Sequence, residues 1–435
     1  MCSINNGKQA VLTRKYLILF CAFFIGIISF VVILIHSTKN VKDNGTFPIK
    51  QCAASGSITQ VYSTVKNLTH CRNNYPIYNF HKRNNYYILY NYVMALKRFD
   101  CEESVTYATH ADYSFLDNVQ PLLENWKGPI SLAIHAPGTD FYKTLNSIIY
   151  LRSCIPFVKE FVTFHLYFHE HHSPDEIPQH VDVLNMTSDC LIDPPFKNVN
   201  RQDMYVKENN LTYPINMGRN VARSMSQTHF VFTSDIELYP NPNVISEFLK
   251  LFASCGDKIK VYNPVVFVVH IFEIEKGLKV PPNKTDLVRL LDKGMVIPFH
   301  KNICAVCHTI PMFDEWKKTE ESDSLKIFNI GKRTGKYYHW EPIYIGTNAE
   351  PEYDERLSWE GMKDKVVQGY EMCLMNYTFL ILDNAFLVHK PGIKKLSGNK
   401  DKWRKKYIQS NNKLIKDVIM PSINKRFKIT NQCQL

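Results

Sequence analysis

No glycine-rich phosphate loop runs through this chain of 435 residues. Its 17 glycines form neither G-x-x-x-x-G-K-[ST] nor a convincing G-x-G-x-x-G. In those two patterns backbone amides cradle nucleotide phosphates, so their absence argues against a P-loop kinase and a Rossmann dehydrogenase. Internal repeats and low-complexity tracts are also lacking. Cys304-Ala-Val-Cys307-His308 formally fits a c-type haem attachment or half a zinc site, but no second C-x-x-C completes a zinc ligand set. A disulfide is the reading that an oxidising compartment favours. His169-Glu-His-His172 misses the H-E-x-x-H spacing because Ser173 stands where the second ligand belongs, and it reads as a surface loop.

What is present begins with Tyr16–Ile35, 20 residues without a charge, the length a helix needs to span a bilayer. Lys8, Arg14 and Lys15 precede it with no acidic residue, which favours a cytosolic N-terminus. Ile35-His36-Ser37-Thr38 offers no Ala-x-Ala cleavage site, so an uncleaved anchor is expected. The expected organisation is a cytosolic tail (1–15), an anchor (16–35), a lumenal stem (36–98) and one large domain (99–435). Six N-x-[ST] acceptors, Asn44, Asn67, Asn185, Asn210, Asn283 and Asn376, all lie beyond the anchor, as do ten of the twelve cysteines. Which cysteines pair cannot be read from their spacing.

The formal charge of +11 is concentrated. Between Lys394 and Lys428 twelve Lys/Arg face only Asp401 and Asp417. Trp403, Tyr407, Leu414 and Val418 recur there at helical spacing, which predicts an amphipathic C-terminal helix with a solvated basic face. Nucleic acid is a poor partner for a lumenal protein; acidic glycans or membrane surfaces suit it better.

Strand patterns at Ser104–His110, Ile130–His135 and Phe161–Phe168 alternate with a helical pattern at Phe115–Trp126, so a mostly parallel sheet flanked by helices is expected. In such sheets ligands sit at the carboxyl ends of strands, where Thr109 and His110 could meet a nucleotide base. Phe230-Val-Phe232 reads as a buried strand leading to Asp235 and Glu237, with the turn signal at Pro240-Asn241-Pro242. A carboxylate pair there can hold a hard divalent cation against a diphosphate; a solvated strand end is the plainer alternative. A helix opened by Pro214 and carrying Asn216 and Arg219 runs directly before it. Arg219 could neutralise phosphate, orient a metal-binding carboxylate, or be a surface arginine.

Five motifs occur together in order: Tyr213-Pro-x-Asn-x-x-Arg-Asn-x-Ala-Arg223, Ser234-Asp-Ile-Glu-Leu-Tyr-Pro240, Trp340-Glu-Pro342, Tyr353-Asp-Glu-Arg356 and Phe386-Leu-Val-His-Lys390. With Leu123-x-x-Trp126-x-Gly128-Pro129 and Cys304-x-x-Cys307, this arrangement resembles glycosyltransferase family 49 from about Val105 through the Lys394 region. The resemblance implies an inverting enzyme of GT-A fold in the Golgi membrane, single-pass and type II. It also implies a divalent cation, Mn²⁺ or Mg²⁺, and a UDP-sugar donor, UDP-glucuronate. The acceptor it implies is a xylose-terminated O-mannosyl glycan of the α-dystroglycan type, carried on a glycoprotein. Complexes with other Golgi glycosyltransferases are compatible with it.

Under the resemblance His389 is a further metal ligand beside Asp235 and Glu237; Asn216 and Arg219, with Thr109 and His110, are the candidate donor-binding residues. The attacking hydroxyl must lose a proton to a carboxylate. Asp354 and Glu355 are the candidates, expected at a helix N-terminus that keeps them ionised. Two departures stand out: the family's Asp-x-Asp is Asp235-x-Glu237, and Leu-Ser-Trp-Glu-Gly-Met-Lys follows Arg356 where the family has an aromatic-Gly-Phe-Asn pattern. The second touches the acceptor side. N-acetylglucosaminyl or xylosyl transfer, or a catalytically silent, membrane-anchored glycan-binding protein, are the alternatives.

Overall fold

The computed structural model describes residues 56–262, 264–393 and 402–435. The expected tail, the anchor Tyr16–Ile35 and Asn44 lie outside these residues. Among the described residues no helix is long and apolar enough to cross a membrane.

One sheet of twelve strands organises the chain. Its nucleus is the parallel run β5-β4-β3-β6, formed by β3 (Val105–Ala111), β4 (Ile130–His135), β5 (Val162–His169) and β6 (Phe230–Thr233). These strands are rich in β-branched and aromatic residues and almost wholly buried, because helices cover both faces of a parallel sheet. The sheet continues from β6 through β11 (Ile343–Gly346), β8 (Val265–Ile274) and β12 (Thr378–His389) to β10 (Ile327–Gly331). Of the seven strands from β5 to β12 along this path only β11 is reversed, so the expected mostly parallel sheet is present. β7 (Leu238–Pro240) and β9 (Val296–Pro298) pair antiparallel with β12 and β8.

The sheet also extends N-terminally of residue 99, where the domain was expected to begin. β1 (Asn79–Arg83) and β2 (Tyr86–Val93) form a hairpin on the β5 edge, and α1 (Ile58–Thr69) packs against α5 (Val244–Ile259). Much of the supposed stem is therefore part of the globule. The polar stretches around this hairpin mask a strand whose inner residues, Ile88 to Val93, are buried. A Cys71–Cys101 disulfide ties the segment to the start of β3; Cys154–Cys190, Cys304–Cys307 and Cys373–Cys433 are the other described pairs.

Between the strands lie α2 (Val119–Trp126), preceded by a 3₁₀ turn capped by Asp112, and α3 (Asp140–Cys154). α4 (Ile215–Ser224) is the helix that Pro214 opens. Its Met217, Val221 and Ala222 pack on Ala108, Ala133, Tyr167 and Val231. Gly218 sits where a Cβ would lie 2.8 Å from that of His110 and 2.7 Å from the Tyr167 hydroxyl, so glycine lets α4 rest directly on the sheet.

The basic C-terminal segment is helical, as α6 (Lys405–Leu414) continuing through a π-helical stretch (Ile415–Ile419) to Met420–Arg426. Its buried stripe is Asn411, Ile415, Ile419 and Ile423, whereas Trp403 and Val418 are about half exposed. The expected apolar face was thus displaced. A π-helical turn takes more residues than an α-helical one, so a four-residue spacing stays on one side across the junction. Of the described sequons, Asn67, Asn185, Asn210 and Asn376 are exposed. Asn283 is half-buried and its side-chain Oδ1 caps a helix by accepting the Asp286 N–H at 2.8 Å.

Candidate active site

The chain leaves β6 at Thr233, earlier than the Pro240 turn signal suggests, and Ser234–Glu237 form a tight reversal before β7. The Ser234 N–H donates to the Ala108 carbonyl at 3.0 Å and the Leu238 N–H to the Asp235 carbonyl at 3.0 Å. The Tyr107 hydroxyl donates to the Leu238 carbonyl at 2.7 Å. Ile236 is buried between Asp235 and Glu237, whose side chains are partly exposed and line one cleft. The register of β7 on β12 places His389 opposite Leu238, and the Lys390 N–H donates to the Glu237 carbonyl at 2.7 Å. Strand pairing is therefore what brings His389 to the acidic turn.

Three cationic or polar groups converge on Asp235. Arg219 Nη2 donates to Oδ1 at 2.9 Å, His110 Nε2 lies 3.3 Å from the same oxygen, and Lys365 Nζ is 3.8 Å from Oδ2. Burial alone would raise this carboxyl; Lys365, Arg219 and His110 outweigh it and hold Asp235 well below the usual carboxylate range. Burial lowers His110, whose Nδ1 faces the Tyr213 hydroxyl at 2.8 Å. Arg219 is buried, also pairs with Asp364 through Nη1, and donates from that nitrogen to Asn216 Oδ1 at 2.9 Å. Of the three readings of Arg219, the contacts match the orienter of a carboxylate.

The conspicuous α4 motif is explained by its spacing. Asn216, Arg219, Asn220 and Arg223 lie on one helical face and clamp the segment 347–364. Asn216 donates to the Asp354 and Asp364 carbonyls at 2.8 and 2.9 Å. Asn220 exchanges two hydrogen bonds with the Tyr353 backbone, at 2.8 and 3.0 Å. Arg223 donates to the Pro351 carbonyl at 2.9 Å and the Glu350 carbonyl at 3.0 Å. Asn216 therefore works from behind the cleft wall, and Thr109 is fully buried; neither lines the cleft, whereas His110 does.

Asp354 and Glu355 do not line the cleft either. No helix starts at Arg356; a short 3₁₀ turn begins at Trp359. Asp354 is held by Arg356, with Nε to Oδ1 at 2.8 Å. Glu355 receives Arg83 at 2.7 Å, Asn84 at 2.9 Å and Asn220 at 3.0 Å. Both carboxylates are occupied in joining the 353–356 turn to its neighbours, Glu355 fastening it to the β1–β2 hairpin.

The cleft's other carboxylates are Glu341 and Asp364, with Asp112 and Glu360 farther along its wall. Burial pushes Glu341 up to about 7, against the pull of Lys365. Asp364 stays below its ordinary value because Arg219 and Lys365 overcome its burial. The Glu341 N–H donates to the Cys307 carbonyl at 2.7 Å, and His308 Nδ1 donates to the Glu341 carbonyl at 3.2 Å, so the Cys304–Cys307 turn fixes this segment. Glu341 was visible in the sequence as the one acid of Trp340-Glu-Pro342. Lys365 carried no signal, lying two residues beyond the divergent segment that ends at Lys363.

By chemistry the donor set suits a hard divalent cation, although the ligand atoms of Asp235, Glu237 and His389 do not all lie within 4.8 Å of one another. His389 Nδ1 donates to the Lys390 carbonyl at 2.9 Å, and the tautomer with its proton there offers the Nε2 lone pair, 3.7 Å from Glu237 Oε2. Two carboxylates and such an imidazole suit Mn²⁺ or Mg²⁺. The cleft holds about 620 Å³, within the roughly 300–1,000 Å³ of small-molecule sites.

Residues 104–428 match the family described as "Glycosyl-transferase for dystroglycan". Beta-1,4-glucuronyltransferase 1 of Danio rerio is 31% identical over 288 residues, 65% of this chain and 65% of that protein. Its namesake in Mus musculus is 27% identical over 292 residues, 66% of this chain and 68% of that protein. Xylosyl- and glucuronyltransferase LARGE1 of Danio rerio is 23% identical over 350 residues, 80% of this chain but 38% of that protein. The chain thus spans about two thirds of the length of the glucuronyltransferase relatives it matches. Because the matched residues run from β3 through α4, the acidic turn and β12 into the C-terminal helix, this chain belongs to glycosyltransferase family 49.

Proposed function

We propose that the chain is an inverting, metal-dependent glycosyltransferase of GT-A type. It transfers glucuronate from UDP-glucuronate in β-1,4 linkage to a xylose-terminated O-mannosyl glycan of the α-dystroglycan type. It works in the Golgi lumen from a type II anchor at Tyr16–Ile35. The observation that carries the reading is the convergence of Asp235, Glu237 and His389 on one cleft of a family 49 chain. The names of the relatives support glucuronate as the transferred sugar.

Asp235, Glu237 and His389 would hold the cation, which when bound supplies positive charge to the departing diphosphate. Arg219 and His110 hold Asp235 ionised and in place before substrate arrives. Lys365, kept cationic because Asp235, Asp364 and Glu341 outweigh its burial, adds charge of the same sign beside the turn. The acceptor hydroxyl attacks the anomeric carbon, the bond from that carbon to the phosphate oxygen breaks, and configuration inverts. Glu341 takes the hydroxyl proton, being a half-buried cleft carboxylate poised near neutral pH, where a general base is most effective.

A transfer screen of the detergent-solubilised full chain against UDP-sugars, with Mn²⁺ or with chelator, tests the reading. Transfer from UDP-glucuronate to a xylose-terminated acceptor, lost with chelator, is expected. Transfer from another UDP-sugar only, or undiminished turnover in chelator, would overturn the donor or the metal assignment respectively.

A further inference from the structure

We propose that an aromatic and basic platform bordering the cleft, built by Trp359 and Trp403 around Arg404, is an acceptor-side subsite for an anionic, pyranose-rich oligosaccharide. Calling it acceptor-side rests on the transferase reading above; its binding chemistry does not. Exposed apolar side chains grouped in one patch mark a binding surface where scattered single ones do not. Here Trp359 and Trp403 are 44% and 47% exposed, with ring centroids 6.4 Å apart and tilted by 38°.

The rings are held rather than loose. The buried Arg404 guanidinium lies 4.3 Å from the Trp359 centroid and 5.7 Å from that of Trp403. It also donates to the Glu360 carbonyl at 3.0 Å and to the Trp359 carbonyl. Asn411 of α6 donates to the Met362 carbonyl at 3.1 Å, and the Trp359 N–H to the Tyr213 carbonyl at 3.2 Å. Tyr213 is the residue whose hydroxyl meets His110, so platform and acidic turn share one support. Rigid rings lose little entropy on binding, and the apolar C–H face of a pyranose covers such a ring while its hydroxyls stay in water.

Charge selects the kind of sugar. Lys363, Lys402, Lys405 and Lys406 are exposed around the rings. Glu360 is the one acid within 358–363 and 402–407, and its carboxylate accepts the Tyr213 N–H at 3.1 Å. Trp359, Met362, Lys363 and Arg404 line the same cleft as Asp235, so a glycan whose terminal sugar enters the cleft would lay its preceding residues across the rings. This continuity favours a glycan over a membrane surface as the occupant. Trp359 of the platform lies in the segment in which the chain departs from the family pattern, which makes the platform a specificity feature of this chain.

Isothermal titration of the full chain in zwitterionic micelles tests the proposal. The probes are a glucuronate-bearing chondroitin hexasaccharide, neutral xylohexaose, UDP, and micelles doped with phosphatidylserine. The hexasaccharide should bind more tightly than xylohexaose. Trp403→Ala should weaken it roughly three- to tenfold, Trp403→Phe should restore it, and Lys402→Ala/Lys405→Ala/Lys406→Ala should erase the preference over xylohexaose. Wild-type affinity in Trp403→Ala would overturn the proposal, and so would binding to anionic micelles without binding to hexasaccharide. If UDP fails to bind while the hexasaccharide pattern holds, the transferase reading falls and the platform stands.

Discussion

Two short turns in this molecule each carry a pair of carboxylates, and they meet opposite fates. At Ser234–Glu237 the acids face a cleft and stay partly exposed, although Arg219 and His110 approach one oxygen of Asp235 and Lys365 the other. At Tyr353–Arg356 the acids face protein, and Arg83, Asn84, Asn220 and Arg356 take them up. In sequence the second pair looks at least as suited to chemistry as the first. What separates them is which groups the fold delivers to each carboxylate, a property of tertiary structure that adjacent residues do not encode.

The sharpest way to break this comparison is to neutralise one acid in each place. Asp235→Asn should lower turnover by about 10²–10³-fold or more, because it removes both a cation ligand and one of the two carboxylate partners of Arg219. Glu237→Asp should keep activity, since an oxygen ligand remains. Steady-state transfer assays at saturating Mn²⁺ measure both.

Glu341→Gln comes next. Loss of a general base costs about 10²–10⁴-fold in kcat, while affinity for UDP should stay near that of wild type. A transfer assay paired with UDP titration separates the two, and a parallel loss of UDP binding would place Glu341 on the donor side instead.

The same residue sharpens the comparison through pH. With Glu341 pushed up to about 7, wild-type kcat should rise with pH through that value, and Glu341→Gln should lose this limb. The stability contribution has the opposite sign. The folded chain binds the Glu341 proton more tightly than the unfolded one, so stability falls as pH rises from the ordinary carboxylate range to about 7. Thermal melts of the variant across this window should show a flatter slope.

The smallest effects belong to the second turn. Glu355→Gln should cost roughly 1–3 kcal/mol of stability, as Arg83 loses one of its two carboxylate partners, the other being Glu352, with kcat little changed. Asp354→Asn should cost less, about 0.5–1 kcal/mol, because Arg356 is half exposed. A large drop in kcat with unchanged melting in either variant would restore the base to this turn.

Much of the parallel nucleus was legible because its strands are apolar runs with a clear period: Ile130–His135 is a strand with those bounds, and Ser104–His110 and Phe161–Phe168 differ by about one residue at each end. The acidic turn and His389 were legible as motifs. The β1–β2 hairpin was not, because its outer strand is exposed and polar. The burial of the C-terminal helix was misread because a π-helical stretch changes the spacing that a regular helix would show. Asn216 and Asn220 could be noticed but not assigned, since a residue that clamps a distant backbone has no local signature. Glu341 gains its character from burial beside Lys365, and burial is set by the whole fold.

The most direct test is calorimetric titration of UDP with Mn²⁺ into wild type, Asp235→Asn and Glu355→Gln. The account predicts equal binding by wild type and Glu355→Gln, and a loss of Mn²⁺-dependent binding in Asp235→Asn. Wild-type binding by Asp235→Asn, or its loss in a folded Glu355→Gln, would contradict it.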